Sequence, residues 1–159
     1  PVEPVPRIVR NRTLSRRLAL QFLYMFQLRG DDALDDLAAF LLRETDKQEV
    51  RTFARCLIEG VVKRLTEIDE HIKRVAHNWR LERMAAIDLS ILRMATFELL
   101  YTDDIPPIVS INEAIELAKD FSTDKSSAFV NGILDKINSE SGTKGKVGPD
   151  ASMPAGQTP

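Results

Sequence analysis

A chain of 159 residues with 43% apolar composition has the length for one core-bearing domain with tails. No apolar run approaches the roughly 18 residues that cross a bilayer, and the start lacks a charged-then-apolar leader, so a cytoplasmic protein with no membrane contact is expected. The net charge of −2 conceals an asymmetry, because residues 1–30 hold six arginines against Glu3 alone; this points to a local electrostatic footprint or to a solvated arm.

Residues 1–6, PVEPVP, read as a flexible extended arm. Helix 1 is predicted over Thr13 to Arg29, with Gly30 as its stop. At about 100° per residue, Leu18, Ala19, Phe22, Met25 and Phe26 fall on one side of it. Arg16, Arg17, Gln21, Tyr24 and Gln27 fall on the other. Forked arginine donors suit phosphates, and a tyrosine face beside them suits a stacked base; the plainer alternative is a solvated polar face. Helix 2 is predicted over Ala33 to Arg43 and helix 3 over Lys47 to Arg64, capped near Asp46. Cys56, the single cysteine, excludes an internal disulfide. Its neighbours Phe53, Leu57, Ile58 and Val61 predict a buried, unreactive thiol.

Helix 4 is predicted over Glu67 to His77, with Trp79 and Leu81 sealing the corner that follows. Helix 5, Met84 to Tyr101, carries the apolar stripe Met84, Ile87, Ile91, Met94 or Ala95, and Leu99. Pro106 and Pro107 then block helix. Helix 6 is predicted to start at Ser110, where SINE has the form of a capping box between Ser110 and Glu113. The next segment poses a conflict: Asn131-Gly132 is a hairpin signal, yet Phe129, Ile133 and Ile137 recur at helix spacing. A lone hairpin would have no sheet to join. Helix 7 is therefore predicted over Lys125 to Asn138, capped by Asp124 or Thr123, with Gly132 explained by close approach of another helix. Residues 139–159 are Gly-, Ser- and Pro-rich and read as a disordered tail. The fold class is all-α, about seven helices in one domain over residues 7–138. His71 and His77 do not share a face, and no phosphate loop, nucleophile elbow or zinc spacing occurs. No catalytic residue, metal or cofactor is expected.

Three stretches, RRLALQFLY (Arg16 to Tyr24), ILRMATFELLYTDDIPPIVSINEAIELAKDF (Ile91 to Phe121) and AFVNGILDK (Ala128 to Lys136), resemble the NusB family of transcription antitermination factors. The similarity extends over residues 7–138. It implies two packed helical subdomains and a non-enzymatic protein that binds boxA RNA, a short single-stranded leader element of ribosomal RNA transcripts. It also implies a partner, NusE, a ribosomal small-subunit protein, with which the complex helps RNA polymerase read through terminators. Carried over by motif, the RNA surface joins Arg10, Arg12, Arg16 and Arg17, with Gln21 and Tyr24 further along helix 1, to Phe121, Lys125 and Ser126 of the helix 6–7 turn. The basic stretch RNRTLSRR is more interrupted than the family's usual arginine run. Lys125 stands where an acidic residue can occur, which implies tighter RNA binding even without NusE. The NusE face is expected on helices 4 to 6, and a homodimer is left open. Two rival readings remain: a protein-binding helical scaffold with an inert basic arm, and the NusB-like N-terminal module of a ribosomal RNA cytosine methyltransferase, for which residues 139–159 are too short to supply the missing domain.

Overall fold

The computed structural model describes residues 3–77 and 80–142. Trp79 and residues 143–159 of the expected tail lie outside the described residues. Among the described residues seven α-helices follow in order: α1 Arg7–Arg29, α2 Leu37–Glu44, α3 Gln48–Lys63, α4 Leu65–Val75, α5 Ala86–Tyr101, α6 Pro107–Phe121 and α7 Asp124–Gly142. Short 3-10 segments, Gly30–Asp36 and Leu81–Arg83, precede α2 and α5. Among the described residues no helix is long and apolar enough to cross a membrane.

The helix boundaries differ from expectation where distant partners or prolines intervene. α1 begins six residues early because extended Pro6 offers its carbonyl to the amides of Val9 and Arg10. Its first turns are then held on α3, where Glu49 accepts from both Arg7 and Asn11. At the other end Gly30 takes φ +77°, open to glycine at no steric cost, and donates to the Phe26 carbonyl. α6 starts at Pro107, in the first-turn position where the missing N–H costs nothing. The SINE capping box does not form. Ser110 is buried and donates to Glu98 of α5, while Glu113 accepts from Thr13 of α1. α7 continues through Ser139 to Gly142, residues expected to be disordered.

Helices α1 and α3 pack on each other, α4, α6 and α7 gather on the far side, and α5 touches all five. A helix enclosed in this way needs apolar residues around its whole circumference. The expected stripe is correspondingly too narrow, since Leu92, Phe97 and Leu100 are buried as well as Ile91, Met94 and Leu99. α4 is pinned to α5 by a forked pair from Arg93 to Asp69 at 2.8 and 2.9 Å, and by the Tyr101 hydroxyl donating to Glu67 at 3.0 Å.

Two glycines exchange roles. Asn131-Gly132 does lie within helix α7, but an added Cβ at Gly132 would meet nothing within 4 Å, so the expected close packing is absent. The close approach occurs at Gly60 of α3, where a Cβ would collide with the Phe97 ring. Cys56 also departs from expectation: it is exposed. The core side of α3 is Val50, Ala54, Leu57, Ile58 and Val61, and Cys56 falls well around the helix from it. Partial burial, with Asp104 nearby, still pushes its thiol pKa up.

Candidate nucleic-acid interface

On α1, Arg10, Arg17, Gln21 and Tyr24 fall within a narrow arc, since seven residues return a helix to about the same line. Arg10, Gln21 and Tyr24 are exposed, Tyr24 by 40%. Arg17 is half-exposed and reaches across to the end of α6. Its Nη1 lies 2.7 Å from Asp120 Oδ2, and its guanidinium sits 4.8 Å from the centre of the Phe121 ring. The basic line on α1 therefore adjoins the α6–α7 turn. The Arg17–Asp120 pair is solvent-exposed, and such pairs are worth about 0–1 kcal/mol, so a phosphate can compete for the arginine.

The turn itself is built from hydroxyls. Thr123 caps α7, accepting from the Ser126 amide at 3.1 Å. Ser126 Oγ accepts from Ser122 at 2.8 Å and Thr123 at 3.2 Å, and donates to Asp88 Oδ2 at 2.8 Å. The Ser126 hydroxyl is thus spent on holding α7 to the first turn of α5. Asp88 is buried, and its Oδ1 has no hydrogen-bond partner among the described residues. Two residues on, Ser90 donates to Gln27 of α1 at 3.1 Å. The first two turns of α5 thereby join α7 to α1. Lys125 stays exposed on the first turn of α7, where free backbone amides favour anions.

Two of the expected contacts stand elsewhere. Arg12 lies about 140° around α1 from Arg17. Its guanidinium is 4.5 Å from the Phe53 ring centre and 3.4 Å from Asp104. There it lines a groove of about 920 Å³ between α1, α3 and the α5–α6 loop, which Ile8 and Cys56 also line. Arg16 is not at the surface at all, being 2% exposed. It shares a helical line with Leu20 and Leu23, both buried. Its Nε and Nη2 donate to Glu98 at 2.9 and 2.8 Å, and Nη1 lies 3.4 Å from Glu113. Burial pulls the Arg16 pKa down, but the hydrogen bonds and charge of Glu98, with the charge of Glu113, more than offset this and hold it above its ordinary value. The Arg16 guanidinium is committed inside the protein.

Sequence reasoning missed Asp88, Ser90, Glu98 and Glu113 as the residues that seat this surface. The signal was present in α5, where Asp88, Ser90 and Glu98 interrupt a mostly apolar run. Buried polar groups of that kind need partners.

The family model described as the NusB family matches residues 13–139. The transcription antitermination protein NusB of Chloroherpeton thalassium is 45% identical over 137 residues, 85% of this chain and 64% of that one. The chain thus spans under two thirds of that relative's length. The protein of the same name from Geobacter sulfurreducens is 48% identical over 139 residues, covering 84% of this chain and 98% of that one. T. maritima NusB superposes with a TM-score of 0.75 at 38% identity, covering 87% of this chain and 94% of that one. A chain from the crystal structure of antitermination factors NusB and NusE in complex with dsRNA has the same fold, with a TM-score of 0.75 at 23% identity over 82% of this chain and 98% of that one.

Proposed function

The chain belongs to the NusB family, and on that premise we propose that it is a non-enzymatic RNA-binding adaptor in transcription antitermination. Its ligand is single-stranded boxA RNA, bound together with NusE, and the assembled complex helps RNA polymerase read through terminators. The observation that carries this reading is Arg17 lying over Phe121 beside Asp120. It supports reading two weak sequence signals, a basic helix and a polar turn, as parts of one surface.

The mechanism is additive. Arg10, Arg17 and Lys125 neutralise phosphates, and Arg17 exchanges Asp120 for a phosphate as RNA docks. Tyr24 and Phe121 offer ring faces to unstacked bases. Ser126 acts through its grip on Asp88, which fixes the first turn of α7. The NusE face belongs on α4 to α6, where Ile108 and Val109 stand exposed at the start of α6.

Titration of a labelled boxA-like oligonucleotide, with and without NusE and against a scrambled control, tests this. With Arg12 and Arg16 turned away, about three phosphate contacts remain, so log affinity should fall with log salt at a slope near −2. NusE should tighten binding to boxA but not to the scramble. A flat salt response would favour the protein-binding scaffold.

A further inference from the structure

α1 meets its neighbours in two different ways. Against α3 and α5 it packs directly, and its Leu18, Ala19, Leu20, Phe22 and Leu23 are buried, Phe22 beside Phe40 of α2. Toward α6 its described ties are made by polar side chains: Thr13 to Glu113 at 2.7 Å, Arg16 to Glu113 at 3.4 Å and Arg17 to Asp120 at 2.7 Å. Glu113 and Asp120 stand two turns apart on one line of α6. Hydrogen-bonded and charged groups therefore fix α6 to α1 at these points.

We propose that Arg16 is a positioning residue of the RNA-facing surface, a buried clasp whose fork on Glu98 and Glu113 fixes α1 against α6 and so holds Arg17 over Phe121, without touching RNA itself. The proposal rests on the RNA-binding reading above. All three guanidinium nitrogens of Arg16 face a carboxylate, two toward Glu98 and one toward Glu113. Ser110 completes Glu98 with a hydrogen bond at 3.0 Å. The clasp thus ties one point of α1 to α5 and to the first two turns of α6. Arg17 is the next residue on α1, and Phe121 is the far end of the same α6. Two rigid helices carry the placement from the clasp to the surface. A lysine keeps the charge but presents a single point and cannot bridge both carboxylates in this geometry.

Arg16→Lys tests the clasp by two readouts, RNA affinity and the Nε–H proton resonance of Arg17, which the Phe121 ring current displaces. The expected result has three parts: retained helicity and salt slope, an Arg17 resonance moved toward that of a free arginine, and roughly fivefold weaker RNA binding. The affinity loss should shrink below about twofold in an Arg17→Ala background, because coupled residues do not add. An unmoved Arg17 resonance, or unchanged affinity, overturns the proposal. Should Arg16→Lys not fold, the neutral pair Arg16→Met with Glu98→Met serves instead, since apolar replacement of a buried ion pair preserves folding in other proteins. There the resonance should again move with the salt slope intact. A slope shallower by about 0.7 with the resonance unmoved would make Arg16 a phosphate contact and overturn the clasp. If the unmodified protein binds no single-stranded RNA, the functional reading falls by itself, while the Arg17 resonance still decides the clasp.

Discussion

Arg16 and Arg17 are neighbours in the chain and opposites in the fold. The inner region of α1 encloses Arg16 between Glu98 and Glu113, with every guanidinium nitrogen engaged. The outer region leaves Arg17 half-exposed over a phenylalanine and paired with a solvated aspartate. Two residues of identical chemistry, one step apart, thus divide between holding the helices together and standing at the surface, where the proposed function has Arg17 meet RNA. What separates them is the 100° turn of the helix and the line each joins: Arg16 runs with Leu20 and Leu23, Arg17 with Arg10, Gln21 and Tyr24. A basic run on a helix is therefore not a count of ligand contacts.

The sharpest way to break this contrast is to truncate each arginine in turn. Arg16→Ala strands Glu98 in the interior and should cost about 3–5 kcal/mol of stability in a denaturant melt. Arg17→Ala should cost under about 1 kcal/mol but make the salt slope of RNA binding shallower by about 0.7. Equal stability losses would erase the distinction between the regions. Next in size, Tyr24→Ala should weaken RNA binding by about 1–3 kcal/mol through lost stacking. Its melting temperature should hold, and a fall there would move Tyr24 from the surface to packing.

The glycines make a parallel pair of inner and outer positions. Gly60→Ala drives a methyl into the Phe97 ring and should destabilise by about 1–3 kcal/mol. Gly132→Ala has open space and a helical backbone, and should stabilise by up to about 1 kcal/mol. Loss of stability at Gly132 would restore the close-packing explanation for the Asn-Gly pair.

These residues also mark how much the sequence disclosed. Helix number and order were legible because apolar periodicity and stops such as Gly30 act locally. Placing Asn131-Gly132 in a helix was legible for the same reason, since helix spacing ran through it. The SINE box misled because Ser110 and Glu113 are claimed by Glu98 and Thr13, residues distant in sequence. The start of α1 was missed because Glu49 of α3 holds its polar first turns. Within the candidate surface, Arg17, Gln21 and Tyr24 could be placed on one side from spacing alone, while Arg10 joined their line only because α1 starts at Arg7. Arg16 could not be sorted from them by charge, because its partner lies 82 positions away. Its helical line with Leu20 and Leu23 was the clue. Cys56 was misjudged because Leu57, Ile58 and Val61 turn to the core, while Cys56 shares an open groove with Phe53.

The most direct measurement is a titration of single-stranded boxA-like RNA into isotope-labelled protein, followed residue by residue in NMR spectra. Resonances of Arg10, Arg17, Gln21, Tyr24, Phe121 and Lys125 should move together along one binding curve. Shifts gathered instead around Arg12 and Phe53, on the groove side of α1, would contradict a surface formed where α1 adjoins the start of α7.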